Sequence, residues 1–312
     1  MDKMFDTIIL GGGPAGISAA IYSARGLCET AIVDTCTLGG QPSNYLEIDN
    51  YPGMMKIGGY DLTEKFEKHL DMYPISKFLM QEIEYVDLKS DIKIVKTKEH
   101  TLRAKTLIIA TGARPMHLNI EGEDKFAGRG VSYCAICDGG FFKDKVAAVV
   151  GGGNSALEEA MYLTKFAKKI YLIHRRDEFR ADKVIQERVR CNDKIEVIYN
   201  ATVERITGDE IVKSILLKDV KTGETKPLEV DGIFPYIGIH PNSELFSGQI
   251  EQDARGFIIT DNTMNTSVKG IFAVGDVRNT PLRQVITAVS DGAVAAVYAG
   301  KYMETLAPAQ TI

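Results

Sequence analysis

The sequence is poor in cysteine and contains no tryptophan. Its five cysteines are sparse for 312 residues and odd in number, whereas small secreted domains that depend on disulfides carry a dense, even set. A disulfide-stabilised extracellular scaffold is therefore excluded. One pair, Cys134 and Cys137, has CxxC spacing, which in an intracellular chain indicates redox chemistry or half of a metal site.

Long apolar runs and an excess of one charge are also missing. No stretch approaches the ~20 apolar residues of a membrane span, and the N-terminus lacks the charged, apolar and small-residue sections of a signal peptide. The 37 basic and 42 acidic residues give a net charge of −5, whereas nucleic-acid binding requires a basic surface. We therefore expect a cytoplasmic protein whose partners include neither a membrane nor a nucleic acid.

Glycine is abundant, with 29 residues, and two glycine clusters occupy matching positions of an internal repeat. Residues 6–34 and 144–174 each read as an apolar strand, a glycine turn, a helix with small residues on one face, and a second apolar strand. The residue that ends the second strand, Asp34 or His174, lies 23 positions after the first glycine of its unit. The sequence thus predicts two βαβ units, and at ~150 residues per domain the length also predicts two domains.

Both turns match a dinucleotide-binding pattern, GxGxxG at Gly11, Gly13 and Gly16 and GxGxxA at Gly151, Gly153 and Ala156. The first glycine permits a tight turn, the second lets the backbone approach a pyrophosphate, and the third, small position lets helix and strand pack closely. The helix N-terminus offers free N–H groups and a partial positive charge to the phosphates. One such motif can be an ordinary tight turn, but two copies in βαβ units predict two dinucleotide sites.

The ends of the two second strands indicate different nucleotides. A carboxylate such as Asp34 accepts hydrogen bonds from a ribose diol and repels a 2′-phosphate, so the first site suits FAD or NAD. The second strand of the repeat ends in His174, Arg175 and Arg176, with Arg180 one helical turn further on. Forked guanidinium groups suit a phosphate dianion, so the second site suits NADP(H).

Two further segments favour a flavin at the first site. Residues 106–113 (TLIIATGA) and 271–277 (IFAVGDV) are apolar strands that run into small-residue turns. The second of these places the carboxylate of Asp276 at the start of the next helix, where it can bind a polyol such as ribitol, and residues 283–299 then read as a small-residue helix. The C-terminal segment is therefore predicted to belong to the first nucleotide domain.

A redox centre is predicted at residues 132–142, which read SYCAICDGGFF just before the second βαβ unit. A helix terminus and a neighbouring acid tune the pKa of such thiols, and Asp138 is the candidate proton donor and acceptor. A closed metal site would need a second pair of ligands, and the other three cysteines are single and far apart. Those three are interpreted as buried small residues or incidental thiols.

Seven motifs occur in one order: GGGPAG, LGGQ, ATGA, CAICDGG, GGGNSALEEA, HRRDEFRA and GDVRNTPLRQ. In this order and over nearly the whole chain, the sequence closely resembles the low-molecular-weight, bacterial-type thioredoxin reductases. The resemblance implies a homodimeric flavoprotein that passes electrons from NADPH to FAD, then to the CxxC disulfide, and finally to thioredoxin.

The resemblance also assigns roles by position. It implies that Cys137 is the flavin-proximal thiol, that Cys134 attacks the thioredoxin disulfide, and that Asp138 is their acid–base partner. The implied FAD residues are Gly11, Gly13, Pro14, Ala15, Gly16, Asp34, Gly40, Gln41, Asn50, Ala110, Thr111, Gly112, Gly275, Asp276, Arg283, Gln284 and Val285. The implied NADPH residues are Gly151, Gly153, Asn154, Ser155, Ala156, His174, Arg175, Arg176 and Arg180. Gly140, where members often carry alanine, and the short acid Asp34 depart from the family pattern without removing a chemical group.

The expected fold is α/β, with two Rossmann-like dinucleotide-binding domains (the FAD/NAD(P)-binding fold), the second inserted in the first. Residues 1–114 and 245–312 are predicted to form the FAD domain, and residues 115–244 the NADPH domain that carries the CxxC. Because the CxxC and the nicotinamide site share a domain and both must reach the flavin, the family's rotation of one domain against the other is expected here. The predicted hinges are residues 113–116 and 238–243.

Other readings remain at this stage. A related flavin disulfide reductase could serve ferredoxin or a peroxidase system, although the HRR…R set favours NADPH and the first strand begins too early for the extra N-terminal domain of a peroxidase-linked enzyme. A non-catalytic NADP-sensing protein is disfavoured by the CxxC and by Asp138.

Overall fold

A computed structural model describes residues 4–44, 48, 50–133 and 135–306. The chain folds into two compact units, of which the first combines Met1–Arg114 with His240–Ile312 and the second is Pro115–Ile239. Residues 240–244 thus belong to the first unit, whereas the sequence had assigned them to the inserted domain. Among the described residues, no helix has both the length and the apolarity needed to cross a bilayer.

The described helices are α1 (Pro14–Arg25), α2 (Gly59–Leu70), α3 (Ala135–Asp138), α4 (Asn154–Leu163), α5 (Lys183–Arg190) and α6 (Val285–Leu306). The described strands are β1 (Met4–Leu10), β2 (Thr30–Val33), β3 (Ser76–Phe78), β4 (Ile83–Asp87), β5 (Lys93–Thr97), β6 (Thr101–Ile109), β7 (Ala113–Pro115), β8 (Val146–Gly151), β9 (Lys169–Ile173), β10 (Ile195–Ile198), β11 (Ala201–Gly208), β12 (Val212–Asp219), β13 (Thr225–Glu229), β14 (Gly232–Tyr236), β15 (Ile239–Pro241) and β16 (Ile271–Ala273).

The first unit is built on a seven-stranded sheet of order β3-β2-β1-β6-β5-β4, with β16 also paired to β6. β3, β2, β1, β6 and β16 run parallel, and β5 and β4 continue the sheet in antiparallel pairs. β1 lies in the middle and is apolar on both faces: Ile8 and Leu10 enter one core cluster and Ile9 enters the other. Such continuous apolar strands are typical of parallel sheets covered on both sides.

The second unit contains a four-stranded parallel sheet of order β10-β9-β8-β14 and a three-stranded antiparallel sheet of order β11-β12-β13. Alternate residues of β8 again enter opposite clusters, Val149 with the helices and Ala148 with the antiparallel strands. In each unit, the carboxyl ends of the parallel strands and the N-termini of the helices that follow them therefore meet at one edge of that unit's own sheet. Nucleotides bind at this edge in such sheets.

The two chain crossings between the units form β7 and β15, which pair as a two-stranded sheet. The predicted hinge segments fall on these strands and the residues beside them. Within the second unit, the backbone N–H of Met116 donates to the carbonyl of Gly238 over 3.0 Å.

Candidate functional site: two dinucleotide turns and a redox helix

The first glycine turn packs the N-terminus of α1 directly on the end of β1. Gly11 has φ of +110°, a conformation that side chains with a Cβ rarely adopt. A Cβ on Gly16 would lie only 1.9 Å from the carbonyl oxygen of Gly11, so the third position of the motif must be glycine. The cap residue Gly13 supplies no side chain, and a Cβ there would meet only the Cα of Gly40, at 3.9 Å.

Asp34 follows β2 directly and is held against this turn. Its Oδ2 accepts the N–H of Gly12 and its Oδ1 accepts the N–H of Cys36 over 2.7 Å. Both bonds fix the carboxylate beside the helix N-terminus that the dinucleotide pattern requires, while each oxygen keeps a second lone pair for a ribose hydroxyl.

Gly40 and Gln41 lie on the next segment. Gly40 has φ of +63°, and a Cβ on it would come within 2.9 Å of the Cα of Gly13, so its backbone lines the same turn. The side-chain amide of Gln41 donates to the carbonyl of Ala113, which orients it toward the end of the ATGA segment.

The ATGA turn is closed by Asn242, a residue that the sequence reading missed. The hydroxyl of Thr111 donates to the Asn242 carbonyl over 2.6 Å, and the Asn242 side chain donates to the Thr111 carbonyl over 2.8 Å. The Asn242 N–H also donates to the carbonyl of Gly112. These bonds fix residues 110–112, of which Ala110 is buried.

The GDV segment forms a 3-10 turn, Gly275–Val277, and not the first turn of a long helix. The expectation that Asp276 starts the next helix is wrong in this respect, because α6 begins nine residues later, beyond Pro281. Burial raises the pKa of Asp276, and the positive charge of Arg283 opposes that rise. Gly275 lies against α1, since a Cβ on it would come within 3.1 Å of the Ala15 Cβ.

A buried ion pair holds this turn in place. Asp291 of α6 accepts the Gly275 N–H over 3.0 Å and two bonds from Arg278, at 2.7 Å and 3.1 Å. The two side chains are only 12% and 10% exposed. Neither residue was predicted from the sequence. The signal that could have revealed Asp291 is its position as an acid among the apolar and small residues of α6.

The remaining predicted flavin residues lie just before α6 or bond to that segment. The side-chain amide of Asn50 donates to Oε1 of Gln284 over 2.8 Å, so the structure brings these two predicted residues together. The Arg283 guanidinium lies 4.3 Å from the ring centre of Phe257. Its buried Nε has no partner among the described residues. Val285 is the first residue of α6.

The second glycine turn repeats the first with one change. Gly151 ends β8, Gly153 caps α4, and the methyl of Ala156 fills the third position, 2.6 Å from where a Gly151 Cβ would lie. The added feature is His174, whose ring leaves no space for a Cβ on Gly152, at 2.2 Å. Burial lowers the pKa of His174, a bond with the backbone of Glu178 opposes this, and the charges of the neighbouring arginines add to the lowering, so the neutral form of the ring is favoured.

Asn154 and Ser155 differ in their surroundings. Asn154 exchanges two hydrogen bonds with Asp182, each of 2.7 Å, and so joins the start of α4 to the start of α5. Ser155 is exposed in the first turn of α4, where its hydroxyl and N–H are free to meet a phosphate.

The arginine cluster lies on a loop and not on a helix. Residues 175–180 contain no helical turn, so the expected one-turn spacing between Arg176 and Arg180 is wrong. The loop is closed by the Arg180 N–H, which donates to the Gly152 carbonyl over 2.8 Å, and by the buried ring of Phe179. The loop still brings Arg180 back to the glycine turn, and all three arginine side chains are exposed.

The redox segment forms a single helical turn, α3, which ends at Asp138 and continues into a 3-10 turn at Gly139–Phe142. Cys134 lies outside the described residues, and of Cys137 only the backbone is described. Asp138 is partly exposed. Nothing lies within 4 Å of a Cβ at Gly140, so alanine would fit there and this departure from the family pattern has no steric cause.

The two turns fit the groups that the motifs predict. At the first, Gly13 and Gly40 leave backbone where side chains would block a pyrophosphate, and Arg283 offers an unpartnered buried nitrogen. At the second, the loop that carries the exposed arginines is closed onto the glycine turn by Arg180, and guanidinium groups suit the 2′-phosphate of NADP(H).

Comparison with known proteins agrees with this geometry. The family model described as pyridine nucleotide-disulphide oxidoreductase matches residues 5–292. The chain belongs to this family. Curated relatives include the thioredoxin reductases of Peptoclostridium acidaminophilum, 45% identical over 97% of this chain and 98% of that protein, and of Listeria innocua, 42% identical over 98% and 96%. The crystal structure of Lactococcus lactis thioredoxin reductase, 42% identical, covers 96% of this chain and 99% of its own with a TM-score of 0.84.

Membership of the family confirms several expectations. The chain has the α/β fold with two dinucleotide-binding domains and is a flavoprotein oxidoreductase. Its cofactors are FAD and NADPH. The individual residues that hold each cofactor and the exact domain limits stay predictions.

Proposed function

We propose that this chain is a thioredoxin reductase that passes electrons from NADPH through FAD and the Cys134–Cys137 disulfide to oxidised thioredoxin. The observation that supports it most is the position of the redox helix: α3, with Asp138 at its end, lies in the same compact unit as the second glycine turn and the exposed arginines. The unit proposed to bind NADPH therefore also carries the dithiol, and each of the two must reach the flavin in turn, as transfer from NADPH through FAD to a protein disulfide requires. The full-length identity to proteins named thioredoxin reductase supports the same substrate.

FAD is assigned to the first unit. The N–H groups at the start of α1 would hold the pyrophosphate, Asp34 would accept from the ribose, and the Gly275–Val277 turn would present Asp276 to the ribitol. By the family resemblance, Gln41, Asn50, Gln284 and Val285 would lie near the flavin ring. When bound, FAD accepts a hydride from NADPH and returns an electron pair to the disulfide, chemistry that no side chain supplies.

NADPH is assigned to the second unit, so residues 115–239 form the proposed NADPH domain. The start of α4, with Ser155 and Ala156, would hold the pyrophosphate, and Arg175, Arg176 and Arg180 would hold the 2′-phosphate. The neutral ring of His174 packs on Gly152 and keeps the loop against the turn.

The thiol chemistry belongs to Cys134 and to α3, which carries Cys137 and Asp138. The Cys134 thiolate attacks one sulfur of the thioredoxin disulfide, forming a mixed disulfide and releasing one thioredoxin thiolate, which takes up a proton. The Cys137 thiolate then attacks Cys134, which restores the Cys134–Cys137 disulfide and releases reduced thioredoxin. Asp138 accepts the proton that Cys137 gives up and returns it to the departing thiolate.

The remaining parts of the proposal follow the family. The protein acts as a homodimer in the cytoplasm. NADPH is preferred to ferredoxin as the electron donor because the arginine cluster has no role in an enzyme that lacks a 2′-phosphorylated substrate.

Steady-state reduction of thioredoxin with NADPH or NADH tests this function. Replacing Arg175, Arg176 and Arg180 together by alanine should raise KM for NADPH at least about tenfold, because each hydrogen bond to a charged group contributes about 1.5–3 kcal/mol, and leave NADH turnover nearly unchanged. Arg188→Ala, an exposed arginine of α5, is the control and should change neither. Equal use of both nucleotides by the unmodified protein would contradict the assignment of the arginines, and absence of thioredoxin reduction would contradict the function.

A further inference from the structure

The residues on both sides of Cys134 are tied to the body of the second unit by tyrosine hydroxyls. Tyr133, immediately before Cys134, donates its hydroxyl proton to Oε1 of Glu123 over 2.7 Å. Ala135, immediately after Cys134, donates its backbone N–H to the hydroxyl oxygen of Tyr236 over 2.7 Å. Neither tyrosine belongs to the nucleotide motifs, and neither was singled out by the sequence.

The first anchor is rigid. Glu123 is only 2% exposed, and its two oxygens also accept the N–H groups of Leu118 and Asn119, at 2.9 Å and 2.7 Å. The Tyr133 ring lies against His117 with the two ring planes tilted by 43°, and its hydroxyl is 3.0 Å from Nδ1. Burial and the charge of Glu123 raise the pKa of Tyr133, so the phenol remains a donor throughout the working pH range.

The second anchor runs from the sheet to α4. Tyr236 ends β14, and its hydroxyl oxygen accepts the N–H of Ala135. The same side chain interacts with the carboxyl group of Glu159 and lowers the pKa of that group against the rise caused by burial. The other carboxyl oxygen of Glu159, Oε2, is buried without a partner among the described residues. A buried carboxyl oxygen without a partner is costly. The interaction of Glu159 with Tyr236 relates α4, which begins at the second glycine turn, to Ala135, the first residue of the redox helix.

We propose that Tyr133 and Tyr236 are positioning residues for the redox pair, with Glu123 and Glu159 as their anchors. This inference rests on the proposed function. The two bonds restrain Tyr133 and Ala135, the residues on either side of Cys134. Because these residues are already ordered in the dithiol form, closing the disulfide costs less conformational entropy, and the two sulfurs have a higher effective concentration. Without these two bonds, the dithiol form gains conformational entropy, whereas the disulfide still restrains the chain in the oxidised form. Reduction of the disulfide therefore becomes more favourable.

The equilibrium between the dithiol and glutathione tests this directly. In it, one glutathione disulfide takes the electron pair of Cys134 and Cys137, and two glutathione thiols and the protein disulfide are formed, so electrons and protons balance. The holoenzyme is equilibrated in glutathione buffers and quenched by alkylation, and mass spectrometry of the peptide that spans both cysteines gives the disulfide fraction.

We expect Tyr236→Phe and Tyr133→Phe each to shift this equilibrium about threefold to tenfold toward the dithiol; a tenfold shift corresponds to about 30 mV for a two-electron couple. Glu159→Gln keeps an acceptor for the Tyr236 hydroxyl and should stay near the unmodified value, whereas Glu159→Leu should behave as Tyr236→Phe does. Tyr199→Phe is the matched control, since Tyr199 is a half-buried tyrosine of the same unit that packs on Phe179.

An unshifted equilibrium in Tyr236→Phe and Glu159→Leu would overturn the inference. If Tyr133→Phe does not fold, these two variants decide alone, because both can be checked for normal flavin content first. A protein in which Cys134 and Cys137 form no disulfide in any buffer would instead overturn the proposed function, so the two failures are distinguishable.

Discussion

At the scale of single residues, the motif positions could be predicted and their supports could not. The sequence predicts the roles of Gly11, Gly16 and Gly151 because the backbone shape of the dinucleotide turn requires glycine at fixed, nearby positions. Asn242 and Asp291 were missed because each acts on a turn more than 15 residues away, through contacts that exist only after folding. Glu159 was missed for the same reason, since only burial distinguishes it from its exposed neighbour Glu158.

The burial of Glu159 makes stability pH-dependent. Burial raises the pKa of this carboxyl from 4.5 to about 7, the charge of Glu158 adds to the rise, and the bond from Tyr236 opposes it. Because the folded state holds the proton more tightly than the unfolded chain, the group's contribution to stability falls as the pH rises from about 4.5 to about 7. Glu159→Gln removes the penalty, so its advantage in free energy of unfolding should be small near pH 5 and grow to the order of 3 kcal/mol at pH 8.

Urea unfolding of the holoenzyme at both pH values measures this difference. Glu196→Gln, which alters an exposed acid paired with Lys169, should show no such gain. An equal effect of Glu159→Gln at pH 5 and pH 8 would contradict an acid with a raised pKa.

At the scale of elements, the strands and helices of both βαβ units follow from their apolar patterns, whereas their ends depend on packing. The helix predicted at residues 283–299 is α6, Val285–Leu306, and in its additional turns Tyr302 packs against the same core cluster as α1. The loop at 175–180 was expected to be helical, since charge spacing resembles a helix face, but Phe179 is drawn into the core instead.

The contact between α1 and α6 yields a prediction. A Cβ on Gly292 would lie 2.1 Å from the carbonyl oxygen of Ala15, so Gly292→Ala must push α6 away from the helix that binds the pyrophosphate. The Asp291 bond to the Gly275 turn would be displaced with it. We expect FAD affinity to fall at least about tenfold and the melting temperature to drop, as overpacking costs about 1–3 kcal/mol.

Flavin content and fluorescence-monitored FAD binding check this. Gly300→Ala lies on the same helix, where nothing is within 4 Å of a Cβ, and should be neutral or stabilising by up to about 1 kcal/mol. Normal flavin content in Gly292→Ala would show that the close approach of the helices is not needed for the site.

At the scale of the whole molecule, the repeat predicted two nucleotide units, and the GDV strand placed the chain's end with the first of them. What composition could not give is the limit of the inserted segment near residue 240, because the connecting strands β7 and β15 are short and are defined by their pairing with each other. Each of these strands has only three residues, too few for an alternating apolar pattern that would predict a strand.

The assignment of one nucleotide to each unit can be tested by hydrogen exchange. NADP⁺ added to the holoenzyme should slow exchange at residues 151–156 and 174–180 and leave residues 11–16 unchanged, since a ligand stabilises the part that binds it. Removing FAD should speed exchange at residues 11–16 and 275–285. Protection by NADP⁺ at the first turn would reverse the assignment.

The most direct test of the electron path is an anaerobic titration of the purified holoenzyme with dithionite, followed by its visible spectrum. The unmodified chain should take up about two electron pairs, one for the flavin and one for the disulfide, whereas Cys137→Ser should take up about one and lose thioredoxin reduction while NADPH still bleaches its flavin absorbance. Equal uptake by the two proteins, or thioredoxin reduction retained in Cys137→Ser, would contradict the path from NADPH through FAD and the Cys134–Cys137 disulfide.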